Sequence, residues 1–193
     1  MTANPTFRPA RLACLGLALA VTLGLAGSTR ADDSRPGDVV KLESLKYDAF
    51  VSRLAGAKAK NYKYTLVDAW ASNCGPCKEN FPHLVEMHRK YSGKGLQVVS
   101  LSLDDTSDPK AVEEARKFLQ EKKATFSNIL LDEEFGVGFE KLEINAIPAV
   151  FLYGPDGKLV KKYTMDDPNN QFTYEQVEKD VVSILGGKPV STR

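Results

Sequence analysis

Two periodicities of apolar residues alternate along the chain. Runs rich in β-branched and aromatic residues predict strands, and apolar residues three or four positions apart predict helices. The predicted elements are, in chain order, a short strand at 39–40, a helix at 41–55, a strand at 64–70, a helix from 77 to 91, a strand at 96–103, a helix from 109 to 119, a strand at 126–131, a short helix at 133–142, strands at 149–153 and 158–163, and a helix at 173–186.

This order predicts the fold class α/β. Strands separated by helices run parallel in one sheet, whereas the two strands that flank the turn at 154–157 form an antiparallel hairpin. We therefore expect a central mixed sheet with helices on both faces. Residues 38–187 are expected to form this single domain, with a flexible N-terminal segment at 32–37 and a tail at 188–193.

The first thirty residues differ in pattern from the rest. Arg8 and Arg11 precede an uncharged apolar run at 12–27, which small residues follow. This order is typical of a secretory signal peptide, which we place over residues 1–31, with cleavage after Ser28 as the alternative. The apolar run has 16 residues, fewer than the roughly 20 that span a bilayer. Cleavage and export are therefore favoured, and a retained membrane anchor is the alternative.

Charge excludes one class of partner. The chain has 26 basic and 25 acidic residues, and removal of residues 1–31 takes away three arginines and no acid, which leaves 23 and 25. Nucleic-acid binding requires a basic surface that neutralises phosphates. We therefore expect no nucleic-acid partner.

Cysteine usage indicates redox chemistry. Cys14 lies within the predicted signal, so Cys74 and Cys77 are the pair that remains in the exported chain. A structural framework of disulfides would need more bridges over longer loops. Two cysteines three apart in the first helical turn bring their Cα atoms to about 5 to 6 Å, within the range of a disulfide.

The position of each cysteine predicts its role. At the helix N-terminus, free N–H groups and the helix dipole favour the thiolate of Cys74, which is the predicted nucleophile. Cys77 lies one turn deeper and is the predicted resolving thiol, which attacks a mixed disulfide. A redox-active disulfide between them needs no other cofactor.

Asp68 is a third candidate catalytic residue. It lies within the apolar strand at 64–70, where burial of a charged carboxylate is costly. Burial raises the pKa of a carboxyl group, and a raised pKa would make Asp68 a proton acceptor for the resolving thiol near neutral pH. The alternative is a carboxylate that faces solvent at the end of the strand.

The motif at 67–78, VDAWASNCGPCK, followed by AIPA at 146–149, resembles the thioredoxin superfamily. The extra strand and helix at 96–125 and the phrase FLYGPDGK at 151–158 resemble the TlpA/ResA-like branch of exported thiol–disulfide oxidoreductases. The resemblance covers about residues 38–187. It implies a thioredoxin-like three-layer fold with an inserted βα unit.

The resemblance also implies site residues and partners. The bond between Ile147 and Pro148 is expected to be a cis peptide beside the dithiol, with the backbone of Ile147 pairing to a substrate strand. Trp70, Gly75 and Pro76 complete the expected substrate-binding set. The Gly-Pro dipeptide implies reduction of disulfides in substrate proteins, in the periplasm or cell envelope of a bacterium, with electrons from a membrane donor.

Two residues depart from the family pattern. Asn73 stands where an aromatic residue commonly precedes the first cysteine, and Asn80 stands where the TlpA/ResA-like branch usually has a glutamate. Proton handling is therefore expected to fall to Asp68.

Three other functions are considered. A zinc site is disfavoured because His83 and His88, five apart on one helix, diverge in direction and lie too close to the cysteines for a zinc finger. A thiol peroxidase of related fold is an alternative, although the Pro-x-x-x-Thr/Ser-x-x-Cys pattern is absent before Cys74. A redox-inert thioredoxin-like binding module is the non-enzymatic alternative.

Overall fold

The computed structural model describes residues 39–134 and 136–190. The strands are β1 (Leu42–Leu45), β2 (Tyr64–Trp70), β3 (Leu96–Ser102), β4 (Ser127–Leu131), β5 (Ala149–Tyr153) and β6 (Leu159–Tyr163). The helices are α1 (Tyr47–Ala55), α2 (Gly75–Tyr91), α3 (Pro109–Glu121), α4 (Val137–Leu142) and α5 (Tyr174–Leu185). The predicted signal peptide and the segment at 32–37 lie outside the described residues.

The six strands form one mixed sheet in the order β1-β4-β3-β2-β5-β6. Strands β1 to β4 pair in parallel, and β5 is antiparallel to both β2 and β6. Strand β3 and helix α3 form the inserted unit between α2 and β4. The predicted α/β class, with a sheet that is parallel at its centre and ends in a hairpin, is confirmed.

Each face of the sheet carries an apolar layer. Alternation along β2 places Leu66 and Trp70 on one face and Val67 and Ala69 on the other. The first face packs against α2, α3 and α5, and the second packs against α1 and α4. Two helical layers with the sheet between them give the predicted three-layer fold.

The first predicted helix is wrong in its N-terminal part. Residues 42–45 form strand β1, which pairs in parallel with β4, and Lys46 is still extended. Helix α1 begins only at Tyr47, whose N–H donates to Glu133 Oε1 at 2.8 Å. Pairing with the edge of β4 supplies backbone hydrogen bonds that local helical spacing does not reveal. The short strand expected at 39–40 is thus found three residues further along.

The β5–β6 turn packs directly on the end of α1. Gly157 has a φ of +76°, and a Cβ atom added there would lie 2.8 Å from the backbone nitrogen of Ala55. Gly187, which follows α5, has a φ of +78° and nothing within 4 Å of an added Cβ. An alanine at either position would therefore adopt a strained left-handed backbone, and only at position 157 would its Cβ also clash with a neighbouring backbone atom.

We expect Gly157→Ala to destabilise the protein more than Gly187→Ala. A left-handed alanine costs about 1 to 2 kcal/mol at either position, and the clash with α1 adds roughly 1 to 3 kcal/mol at Gly157. Urea unfolding followed by circular dichroism measures both free energies. Equal losses would show that the turn does not press on α1.

Candidate active site

The two cysteines lie where strand β2 leads into helix α2. Cys74 is the N-cap residue of α2, and its Sγ accepts a hydrogen bond from the N–H of Cys77 at 3.2 Å. Their sulfurs form a disulfide, and their Cα atoms are 5.3 Å apart. The separation agrees with the value expected for two positions in one helical turn. The N-terminal end of α2 is thus directed at Cys74.

The two sulfurs differ in access. Cys77 is 1% exposed and packs in the core under α2. Cys74 is partly buried, and its neighbours Asn73, Gly75 and Pro76 are exposed. A large substrate can therefore approach Cys74 and cannot approach Cys77.

The peptide bond between Ile147 and Pro148 is cis, as predicted. The carbonyl oxygen of Ile147 lies 3.8 Å from Cys74 Sγ. Pro148 is buried, whereas Ile147 is partly exposed. Residues far apart in the chain are thus brought together beside the disulfide, and the backbone of Ile147 borders the surface through which Cys74 is reached.

Asp68 is buried, as predicted, with an exposure of 1%. Alternation along β2 places it between Leu66 and Trp70 on the face that packs against α2 and α5. Burial raises the pKa of Asp68 to about 7, and a hydrogen bond from Tyr174 opposes this increase. The hydroxyl of Tyr174 lies 3.1 and 2.9 Å from the two carboxylate oxygens.

Trp70 does not have the predicted place in substrate binding. Its side chain is fully buried and packs against Phe81 and Phe118 at ring distances of 5.4 and 5.1 Å. The last residue of β2 points into the helical layer because it shares the face of Leu66 and Asp68. We therefore assign Trp70 to the core that supports the start of α2.

Asp104 is a site residue that the sequence analysis missed. It is 6% exposed and accepts hydrogen bonds from the N–H of Ser72 at 2.9 Å and from its hydroxyl at 2.6 Å. The hydroxyl of Ser102 donates to the same carboxylate at 2.7 Å. These bonds fasten the turn before Cys74 to the end of β3. The sequence signal that could have identified Asp104 is its position directly after the apolar strand predicted at 96–103.

A groove of about 740 Å³ opens beside the dithiol. Asn73, Cys74 and Ile147 line one side, and residues of the inserted βα unit, among them Asp105 and Ala111, line the other. The groove therefore borders Cys74 on both the α2 side and the side of the inserted unit.

Within residues 39–134 and 136–190, no group of three or more His, Cys, Asp or Glu side chains is arranged to hold a metal ion. In the same part of the chain, no helix has the length and apolar character needed to cross a bilayer.

The fold and the dithiol together define a class of protein in which a central strand leads into a helix that begins with a Cys-x-x-Cys pair. The thioredoxin-like family model matches residues 61–159, just over half of the 193 residues. The chain belongs to the thioredoxin-like family.

Curated relatives of the chain are thiol-disulfide oxidoreductases named ResA. The chain is 25% identical over 130 residues to thiol-disulfide oxidoreductase ResA of Oceanobacillus iheyensis, covering 67% of this chain and 62% of that protein. It is 24% identical over 102 residues to ResA of Bacillus subtilis, covering 53% of each. The chain thus spans about half to three fifths of the length of these curated relatives.

A solved structure has the same fold. The Chlorobium tepidum protein assigned as thiol:disulfide interchange protein DsbE matches with a TM-score of 0.53 and 29% identity, covering 67% of this chain and 84% of that one. The expected resemblance to the thioredoxin superfamily and to its ResA-like members is confirmed.

The raised pKa of Asp68 predicts how stability changes with pH. Between about pH 4 and pH 7 the unfolded carboxyl is ionised while the folded one keeps its proton, so the folded state binds more protons and stability falls as pH rises. This loss reaches roughly 4 kcal/mol at pH 7. Asn does not titrate, so Asp68→Asn lacks this loss. The free energy of unfolding of the variant should therefore rise relative to that of the wild type as pH increases from 4 to 7.

Urea unfolding of both proteins at several pH values measures the difference in free energy. Other carboxylates titrate equally in both proteins and cancel. A difference that does not change between pH 4 and pH 7 would contradict the buried, protonated state of Asp68.

Proposed function

We propose that this protein is a thiol–disulfide oxidoreductase that reduces disulfides in substrate proteins. The observation that supports it most strongly is the asymmetry of the dithiol, with Cys74 accessible at the N-terminus of α2 and Cys77 buried beneath it. The ResA and DsbE names of its relatives agree with this activity.

The first step is attack by Cys74. In the reduced protein, the Cys74 thiolate attacks one sulfur of the substrate disulfide, and a new bond forms between Cys74 Sγ and that sulfur. The other substrate sulfur leaves as a thiolate and takes a proton. The N–H of Cys77 and the N-terminal end of α2 stabilise the attacking charge. The groove beside Cys74 and the backbone of Ile147 receive the substrate segment.

The second step is release by Cys77. Its thiol loses a proton to Asp68, and the resulting thiolate attacks Cys74 Sγ. The bond between the two cysteines forms, the mixed disulfide breaks, and the second substrate sulfur leaves reduced. The substrate gains two electrons and the protein loses two, which leaves the disulfide seen here. Asp68 suits this role because it lies on the face of the sheet that packs against Cys77.

Two features of the sequence support a reducing direction and an exported location. Gly75 and Pro76 are the dipeptide of reducing thioredoxins, and the predicted signal over residues 1–31 directs the chain out of the cytoplasm. A dithiol that reduces substrates there must be reduced again by a two-electron donor. We infer a membrane-bound thiol donor and a periplasmic or cell-envelope location.

The mixed disulfide is the first test. We expect reduced Cys77→Ser to accumulate a covalent adduct with a disulfide-containing protein such as insulin, because the resolving thiol is gone. Mass spectrometry of the non-reduced, digested adduct should place the bond at Cys74. Cys74→Ser is the matched control and should give little adduct, because its remaining thiol is buried. A folded Cys77→Ser protein that traps nothing would refute the oxidoreductase.

The redox potential tests the direction. Equilibration with reduced and oxidised glutathione should give a potential close to the roughly −270 mV of thioredoxin. Alkylation of free thiols followed by mass spectrometry reports the dithiol fraction, and Cys77→Ser should show no intramolecular transition. A potential near about −120 mV, that of a strong oxidant, would make the protein an oxidase of thiols instead.

A further inference from the structure

The side chain that faces Asp68 belongs to a distant helix. Tyr174 is the first residue of α5, and the N-cap hydroxyl of Thr173 accepts the N–H of Gln176 at 3.3 Å. This cap fixes the start of the helix. Tyr174 is 3% exposed, and its hydroxyl reaches both oxygens of Asp68. Two buried polar groups are thus paired between the sheet and α5.

Polar side chains near Asp68 on the other elements form hydrogen bonds with different partners. Ser100, beside Asp68 on β3, donates to Asn128 on β4 at 2.9 Å. The hydroxyl of Tyr163 on β6 donates to Asp180 on α5 at 2.7 Å. Among residues 39–134 and 136–190, Tyr174 is the one side chain that donates a hydrogen bond to Asp68.

Four other titratable groups belong to the same environment. Cys77 on α2 lies in the same apolar cluster as Tyr174. His83 on α2 stacks on the Tyr174 ring at 5.7 Å. Lys161 on β6 forms an ion pair with Asp180 at 2.8 Å. Of these groups, His83 is the one whose ring stacks on Tyr174.

We propose that Tyr174 is a positioning residue that orients the Asp68 carboxyl group and favours its ionised form, so that it can accept the proton of Cys77 near neutral pH. This inference rests on the proposed function, in which Asp68 receives that proton. It adds to that function a residue that acts through Asp68 and not directly on the reacting sulfurs.

The physical reason is the balance between burial and hydrogen bonding. Burial disfavours the charged carboxylate, and a hydrogen bond donated to it favours the charged form. Burial, followed by the charge of Asp68 and the hydrogen bond to it, raises the pKa of Tyr174 far above neutrality, so its hydroxyl remains a donor. Without this donor, Asp68 would keep its proton to higher pH and would be a poorer acceptor at pH 7.

The first measurement is independent of activity. Carbon-13 NMR of the Asp68 carboxyl in the oxidised protein gives its titration midpoint. We expect Tyr174→Phe to raise this midpoint by about one pH unit. Tyr163→Phe is the matched control, because it removes a hydroxyl from the same layer that contacts Asp180 instead. His83→Gln tests whether the neighbouring imidazole contributes. Both controls should leave the midpoint unchanged.

The second measurement follows release of the mixed disulfide. Reduced protein is mixed with a model disulfide, the reaction is quenched with acid, and the lifetime of the Cys74 adduct is measured between pH 6 and pH 9. Tyr174→Phe should slow release about fivefold at pH 7 and recover at higher pH, because a rise of about one pH unit from a midpoint near 7 lowers the ionised fraction of Asp68 from about one half to about one tenth. In Asp68→Asn, the release rate should lack the increase with pH that ionisation of Asp68 causes. The double variant Asp68→Asn/Tyr174→Phe should release the adduct at the same rate as Asp68→Asn.

Each outcome decides a separate point. An unchanged Asp68 midpoint in folded Tyr174→Phe would overturn the inference. A raised midpoint with an unchanged release profile would overturn it too, because Asp68 would not be the acceptor, although the Cys77→Ser trap could still succeed. Failure of that trap would refute the proposed function whatever the midpoint. If Tyr174→Phe does not fold, Tyr174→Met, which also lacks a donor, carries the same expectations.

Discussion

The burial of strand β2 at the centre of the sheet is the constraint on which the site depends. With β3 on one side and β5 on the other, β2 has both edges paired and both faces covered. A strand held in this way has its last residue in a fixed position, and only four residues separate Trp70, the end of the strand, from the start of helix α2 at Gly75. The position of Cys74 is therefore set by backbone pairing.

The same burial creates the chemistry of Asp68. A carboxylate in a strand covered on both faces has no access to water, so the free energy of its ionisation depends on the few polar groups that protein folding brings to it. The structure supplies a phenol hydroxyl, which is a weaker partner than a cation would be. The carboxyl is thereby left near the point of half ionisation at neutral pH, where it can both take and return a proton.

Local signals in the sequence were sufficient for the dithiol and for most elements. Residues close together in the chain predict that Cys74 lies at a helix start and that Asp68 is buried. The family motif predicts the cis bond before Pro148. Tyr174 could not be predicted, because its partner lies 106 residues away and no spacing rule joins them. Trp70 was misplaced because its closeness to the dithiol in the motif suggested a surface role, whereas both faces of β2 are covered. The start of α1 was misplaced because pairing between β1 and β4 is a tertiary effect.

The attachment of Ser72 to Asp104 has a consequence for how this family member can diversify. The turn before Cys74 is held by hydrogen bonds from Ser72 to Asp104, next to the end of β3. The exposed side chain of Asn73 takes no part in these bonds. The residue directly before Cys74 could therefore change during evolution without disturbing the hydrogen bonds that hold the turn in place.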